Sequence, residues 1–256
     1  MRLLVVNVNT SESMTETIAD AARNAASEGT EIVALRPRFG ASSVDCCFES
    51  YLSAVAVMDA VVTYEGAYDA VVMAGFGEHG KDGLQELIGQ PVLEICEASA
   101  HVAMMIGRTF SVVTTLQRSV PAIEDRLRLA GLETRCASVR ASGMSTSEVD
   151  EDTKRAADAI VEQARRAVLD DHAEVICLGC AGMAGLEEAI EATVGVPVID
   201  GVAAAVRLAE ALVGLGLRTS KLSTYAWPEP KDIAGWPLQP AGADARPAEG
   251  DGGRLR

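Results

Sequence analysis

No apolar run in these 256 residues approaches the roughly 18 to 20 residues that a membrane-spanning helix needs. A basic excess is also missing. Against 37 Asp and Glu there are 22 Lys and Arg, a formal net charge of -15, and without a basic face neither nucleic acid nor an anionic membrane is an expected partner. Arg2 precedes a strand-like run rather than a cleavable apolar segment, so the cytosol is the expected setting. Histidine is scarce, and the C-x-x-C formed by Cys177 and Cys180 has no second pair at a suitable spacing, so no metal is expected. The six cysteines (Cys46, Cys47, Cys96, Cys136, Cys177 and Cys180) are accordingly read as thiols rather than as a disulfide framework.

What the chain has is apolar content, 48% of its residues, enough at this length to bury a sizeable core. Short β-branched or apolar runs at 3–7, 31–35, 70–74, 91–95, 110–114, 134–139, 175–179 and 197–199 alternate with alanine-rich stretches. Helices are expected among the latter at 14–26, 50–63, 123–130, 147–170, 185–194 and 202–215. That alternation is the pattern of βα units and a mostly parallel sheet. From Trp227 on, Pro228, Pro230, Pro237, Pro240 and Pro247 come with Gly, Ala and Asp. Such a segment buries too little surface to order itself, so residues 228–256 are expected to be a flexible tail, with Trp227 or Trp236 docked.

The two halves of the chain resemble each other. Residues 4–7 match 111–114, 31–35 match 134–138, 72–77 match 177–182, and 91–92 match 197–198, all at a nearly constant offset. A constant offset marks an internal repeat. The expected fold is therefore α/β, with two pseudo-symmetric lobes that each hold a four-stranded, mostly parallel sheet flanked by helices. The lobes are expected to comprise residues 1–98 with 206–227, and residues 99–205.

Parallel sheets bind ligands beyond the carboxyl ends of their strands. The residues there are Asn7, Asn9, Thr10 and Ser11; Gly75, Phe76, Gly77, Glu78 and His79; Thr114 and Thr115; and Cys180, Ala181 and Gly182. Cys180 stands between an apolar strand and a helix expected from about Gly185, where the positive end of a helix dipole favours a thiolate. The glycines beside it let backbone N–H groups approach a developing oxyanion. Asn9, Thr10 and Ser11 also suit the cap of the following helix. Phe76 suits either the ligand or the packing of the cleft, and Cys46 and Cys47 are expected to border the pocket. His101 reads as a structural contact and His172 as surface.

The segments Asn7-Val8-Asn9-Thr10, Pro37-Arg38-Phe39-Gly40, Ala74-Gly75-Phe76-Gly77, Leu178-Gly179-Cys180-Ala181-Gly182-Met183, Pro197-Val198-Ile199-Asp200-Gly201 and Thr219-Ser220-Lys221 resemble the hydantoin and allantoin racemases of the aspartate/glutamate racemase superfamily. The resemblance runs from Met1 to about Lys221. It implies an active site in the cleft between the lobes, where two cysteines move a proton at a carbon next to a carbonyl without pyridoxal phosphate or metal. It also implies that Asn7, Asn9, Thr10, Thr114 and Thr115 hold the substrate, with backbone amides near Gly77, Ala181 and Gly182 facing the oxyanion. A small-molecule substrate and self-association into a homo-oligomer are the partners expected.

The first cysteine of the family is absent, because Gly75 stands in its place. In one account Glu78 or His79 supplies the missing base. In a second the chain resembles the arylmalonate decarboxylases, which share a glycine there and protonate an enolate from one thiol. In a third Gly75 is a substitution made to trap a substrate, against which the neighbouring departures at Glu78 and His79 speak. A non-catalytic ligand-binding relative is the alternative outside enzymes.

Overall fold

The computed structural model describes residues 1–233. Among these, eight strands form two four-stranded sheets with every pairing parallel. The first sheet runs in the order β2-β1-β3-β4, with β1 at Arg2–Val6, β2 at Glu31–Leu35, β3 at Ala70–Met73 and β4 at Val92–Glu94. The second runs β6-β5-β7-β8, with β5 at Phe110–Thr114, β6 at Cys136–Ala141, β7 at Val175–Leu178 and β8 at Val198–Asp200. The two orders are the same permutation, as an internal repeat requires. The expected α/β fold of two pseudo-symmetric sheets is the one observed.

The strands read as continuous apolar runs because both of their faces are covered. Leu4, Val6, Val71 and Met73 point outward to α2 (Cys47–Val62) and α3 (Lys81–Leu87). On the far side, Val113, Ile176 and Leu178 meet α7 (Thr153–Leu169) and α8 (Glu187–Val194). Leu3, Val5, Val72, Phe110, Val112 and Cys177 turn inward to one central cluster shared by both sheets. Helices α1 (Glu12–Ala25), α4 (Ile95–Ile106), α5 (Val120–Leu129) and α9 (Gly201–Gly214) complete that cluster.

Two departures from the sequence expectation have local causes. The single helix expected over 147–170 is divided into α6 (Thr146–Glu151) and α7. Between them Asp152 leaves the helical region (φ −134°, ψ 76°), and its carboxylate accepts the Arg155 N–H at 3.1 Å as the cap of α7. The strand expected to reach residue 95 ends at Glu94, whose carboxylate caps α4 by accepting the N–H groups of Cys96 and Glu97. Trp227 is half-buried, with the Lys221 ammonium 4.1 Å from its ring centroid, a cation–π contact that docks it as expected. Trp236 and the remainder of the expected tail from residue 234 lie outside the described residues. Among the described residues no helix is long and apolar enough to cross a membrane.

Candidate active site

The site follows from where the two inner strands stop. Beyond β3 the Ala74 N–H donates to the Val6 carbonyl at 2.8 Å, and beyond β7 the Gly179 N–H donates to the Val113 carbonyl at the same distance. Each bond carries its ladder one residue past the strand and releases the next, Gly75 in the first sheet and Cys180 in the second. Both line one cleft of about 370 Å³, a volume suited to a small molecule. Gly179 has a steric reason: a Cβ there would lie 2.9 Å from the Val113 carbonyl oxygen, so only glycine lets the end of β7 sit this close to β5.

Cys180 is half-buried and no disulfide involves it or any of the other five cysteines. Burial pushes the Cys136 and Cys177 thiols up to about 12, and Cys96 well above its ordinary value, so these three stay protonated. Cys46, the N-cap of α2, and Cys47, its first residue, line the cleft. The helix expected from Gly185 begins later, at Glu187, and Cys180 is followed first by a three-residue 3-10 turn, Ala181–Met183. So short a turn aligns few peptide units, so the dipole assistance foreseen for the thiol is smaller than the sequence suggested.

At Gly75 the place of a side chain is already taken. A Cβ there would lie 2.3 Å from His79 Cδ2, 2.8 Å from His79 Nε2 and 2.5 Å from Val8 Cγ1. The imidazole occupies the volume into which a residue at position 75 would project. His79 is 7% exposed, and burial together with the nearby Arg126 cation lowers its pKa to about 4, so the ring is neutral. Its tautomer follows from Ser50. That hydroxyl gives its one proton to the Glu78 carbonyl, so at 3.2 Å it accepts from His79 Nδ1–H. The bare nitrogen is Nε2, on the Gly75 side.

Glu78 sits differently. Its side chain is 46% exposed and lines the cleft. One carboxylate oxygen accepts the Gly80 N–H, and the other accepts from Arg126 Nη1 at 3.2 Å. Sequence reasoning missed Arg126, which is 5% exposed. The available signal was its position among Val120, Ile123 and Leu127, which form the buried face of α5.

The polar residues of the first strand ends divide in two. Asn7 is spent on its own loop: Nδ2 donates to Asn9 Oδ1 and Thr15 Oγ1, both at 2.9 Å, and Oδ1 accepts the Asn9 N–H. Asn9 Oδ1 also accepts the Ser11 N–H at 2.9 Å, which turns the Asn9 amide so that its NH₂ is left for a ligand. Thr10 is not brought to the cleft: its hydroxyl and its N–H both bond the Ala41 carbonyl, at 3.1 and 2.9 Å, because the loop folds it away toward residue 41. Ser11 caps α1 through the Met14 N–H. Thr114 donates to the Gly179 carbonyl at 3.2 Å, tying the ends of β5 and β7, and Thr115 lines the cleft beside it. Phe76 lines the cleft and also packs on the central core, while Gly77, Ala181 and Gly182 border the same space. His101 bonds its own helix at the Glu97 carbonyl, and His172 is exposed. Across the mouth Asp45 Oδ1 accepts from the Thr146 hydroxyl at 3.0 Å, a second polar contact between the halves.

Two measurements follow. Gly75→Ala is expected to cost about 1–3 kcal/mol by overpacking, and part of that cost should vanish in a His79→Ala background. Additive losses in denaturant melts of the four variants would contradict the steric account. Because the folded pKa of His79 lies below its unfolded value, the unfolded chain binds the extra proton between about pH 4 and 6.5. His79 therefore contributes stability that grows with pH through that window, against the opposing contributions of the raised Glu94 and Asp200 carboxyls, and His79→Gln should lower the denaturation midpoint at pH 7 relative to that at pH 4.5 when compared with the unsubstituted chain.

The sequence model of the Asp/Glu/hydantoin racemase family matches residues 3–209. A hydantoin racemase from Pseudomonas sp. (strain NS671) is 39% identical over 92% of this chain and 95% of its own. The crystal structure of allantoin racemase from Pseudomonas fluorescens superposes with a TM-score of 0.91 at 62% identity, covering 92% of this chain and 100% of that one. Arylmalonate decarboxylase, 18% identical with a TM-score of 0.57 over 84% of this chain and 94% of its own, shares the fold alone. The matched region takes in both sheets and both strand ends of the cleft, and the chain belongs to the Asp/Glu/hydantoin racemase family.

Proposed function

We propose that this chain racemises a small hydantoin- or allantoin-type amide by moving a proton at the carbon next to a carbonyl, with Cys180 and Glu78 as the two acid–base groups. The observation that carries the reading is that the two symmetry-related strand ends share one cleft, with a thiol on one and a carboxylate-bearing loop on the other. For one enantiomer the Cys180 thiolate removes the Cα proton and the Glu78 carboxylic acid delivers its proton to the opposite face. For the other, the Glu78 carboxylate removes the proton and the Cys180 thiol delivers one. Either direction leaves the pair in the protonation state that the reverse reaction needs, so no cofactor takes part. The enolate oxygen between the two steps falls to the backbone N–H groups near Gly77, Ala181 and Gly182 and to the Asn9 amide, donors that need no rearrangement as charge develops.

Glu78 is preferred to His79 as the partner of Cys180 on three grounds. The imidazole is buried, it is committed to Ser50 through Nδ1, and it fills the space beside Gly75. Glu78 is accessible from the cleft, where it can take up or give a proton. The reading extends to a cytosolic homo-oligomer: exposed Met105, Ile106, Leu215 and Leu217 at the ends of α4 and α9 are side chains a subunit interface would cover.

The test is α-hydrogen exchange in deuterated solvent with enantiopure 5-substituted hydantoin and allantoin, followed by proton NMR and optical rotation. Cys180→Ala and Glu78→Gln are each expected to lower racemisation by about 10²–10⁴-fold, the usual worth of a positioned acid or base. Racemisation retained in either variant removes that residue from the pair, and release of carbon dioxide from an aryl malonate without racemisation would replace the reading with a lyase.

A further inference from the structure

Resting on Glu78 as one of the two acid–base groups, we propose that Arg126 is a positioning residue for the proton transfer, reaching from the second lobe to hold the Glu78 carboxylate of the first in its place on the cleft wall. The guanidinium is divided among three carboxylates, one per nitrogen. Nε donates to Glu94 at 3.3 Å, Nη1 to Glu78 at 3.2 Å, and Nη2 to Glu97. Two of the three are anchored independently. Glu94 is 1% exposed and accepts the Cys96 and Glu97 N–H groups at 2.7 and 2.8 Å, and Glu97 also pairs with Lys81 of α3.

A guanidinium is planar and its N–H directions are fixed. Once Glu94 and Glu97 hold two of its nitrogens, the direction of the third arm is set as well, and that arm ends on Glu78. The other Glu78 oxygen accepts the Gly80 N–H, so the carboxylate is held from both sides although its side chain is 46% exposed. Without Arg126 an exposed glutamate samples several rotamers. The origin of Arg126 matters too: α5 follows β5, whereas Glu78 follows β3, Glu94 ends β4 and Glu97 lies in α4 just after it. One side chain of the second lobe thus fixes the orientation of the base carried by the first.

A two-base racemase has a readout that a merely structural residue would not change. With Glu78 misplaced, the enantiomer whose proton faces Cys180 still gives it up to the thiol and takes back solvent deuterium on the same face, while inversion stalls. The enantiomer facing Glu78 loses exchange and inversion together. In Arg126→Lys and Arg126→Gln, the racemisation kcat is expected to fall by about 10–100-fold, the cost of a displacement of around 1 Å. The ratio of exchange to racemisation should rise by the same factor for one enantiomer only. Thermal melts identify folded variants, and should Arg126→Gln fail to fold, Arg126→Lys decides, since it keeps the charge and loses the fork.

Glu78→Gln, run beside them, separates the two ideas. If it gives the one-sided signature while folded Arg126→Lys loses exchange and racemisation equally for both enantiomers, or loses neither, the role of Arg126 is overturned and that of Glu78 stands. If Glu78→Gln still racemises both enantiomers, the acid–base assignment itself fails, and the role of Arg126 with it.

Discussion

Both sheets are buried against a single apolar core, and every other feature of the molecule is placed by that constraint. Ala98, Ala100 and Ala103 of α4 and Ala204, Ala205 and Ala209 of α9 give this core small side chains where the two helices pack together. Because interiors are packed as densely as organic crystals, a core shared by β1, β3, β5 and β7 leaves the sheets little freedom to slide. The ends of β3 and β7 therefore meet across the cleft in a fixed relation, set by packing some distance from any reacting atom. Two proton-transfer groups on opposite faces of one carbon need that kind of frame.

Burial also decides which groups around the cleft carry charge. It pushes Glu94 up to about 7 and Asp200 to about 6, and with Arg126 it lowers His79 to about 4. Each shift favours the neutral form. Arg126 partly offsets it at Glu94, while both carboxylates stay useful as helix caps through backbone N–H bonds. The cleft itself is lined by side chains of both signs, Asp45, Glu78 and Asp125 against Arg118 and Arg126, with the Cys180 thiol among them. A single guanidinium facing three carboxylates shows that the net charge of -15 is unevenly distributed.

Most of the sheet framework was legible in the sequence, because strands covered on both faces are written as uninterrupted apolar runs and a duplicated lobe repeats them at a constant offset. The same offset placed Gly75 opposite Cys180. Helix α3 and most of α4 were not read, since short alanine-, glutamate- and glycine-bearing stretches carry weak periodicity, and the break at Asp152 hides within a run that is helical on either side. The site was legible where it depends on strand ends and illegible where it depends on side-chain direction. Thr10 sits in the right loop but turns toward Ala41, Asn7 spends its amide on its neighbours, and Arg126 looks like one more charge on a surface helix. The contact between His79 and position 75 joins residues only four apart, yet it exists because the loop folds back over Val8, which no local pattern announces.

That contact bears on how such a chain can change over generations. With the imidazole seated against the α-carbon of Gly75 and Val8 behind it, a cysteine arriving at position 75 meets an occupied site, and a smaller residue arriving at position 79 leaves a hole. Each substitution is a loss until the other has occurred. The one-thiol and two-thiol arrangements are thus separated by a steric cost on each single replacement, and a lineage that has settled the histidine against the glycine meets that cost before the chemistry on the other side can act.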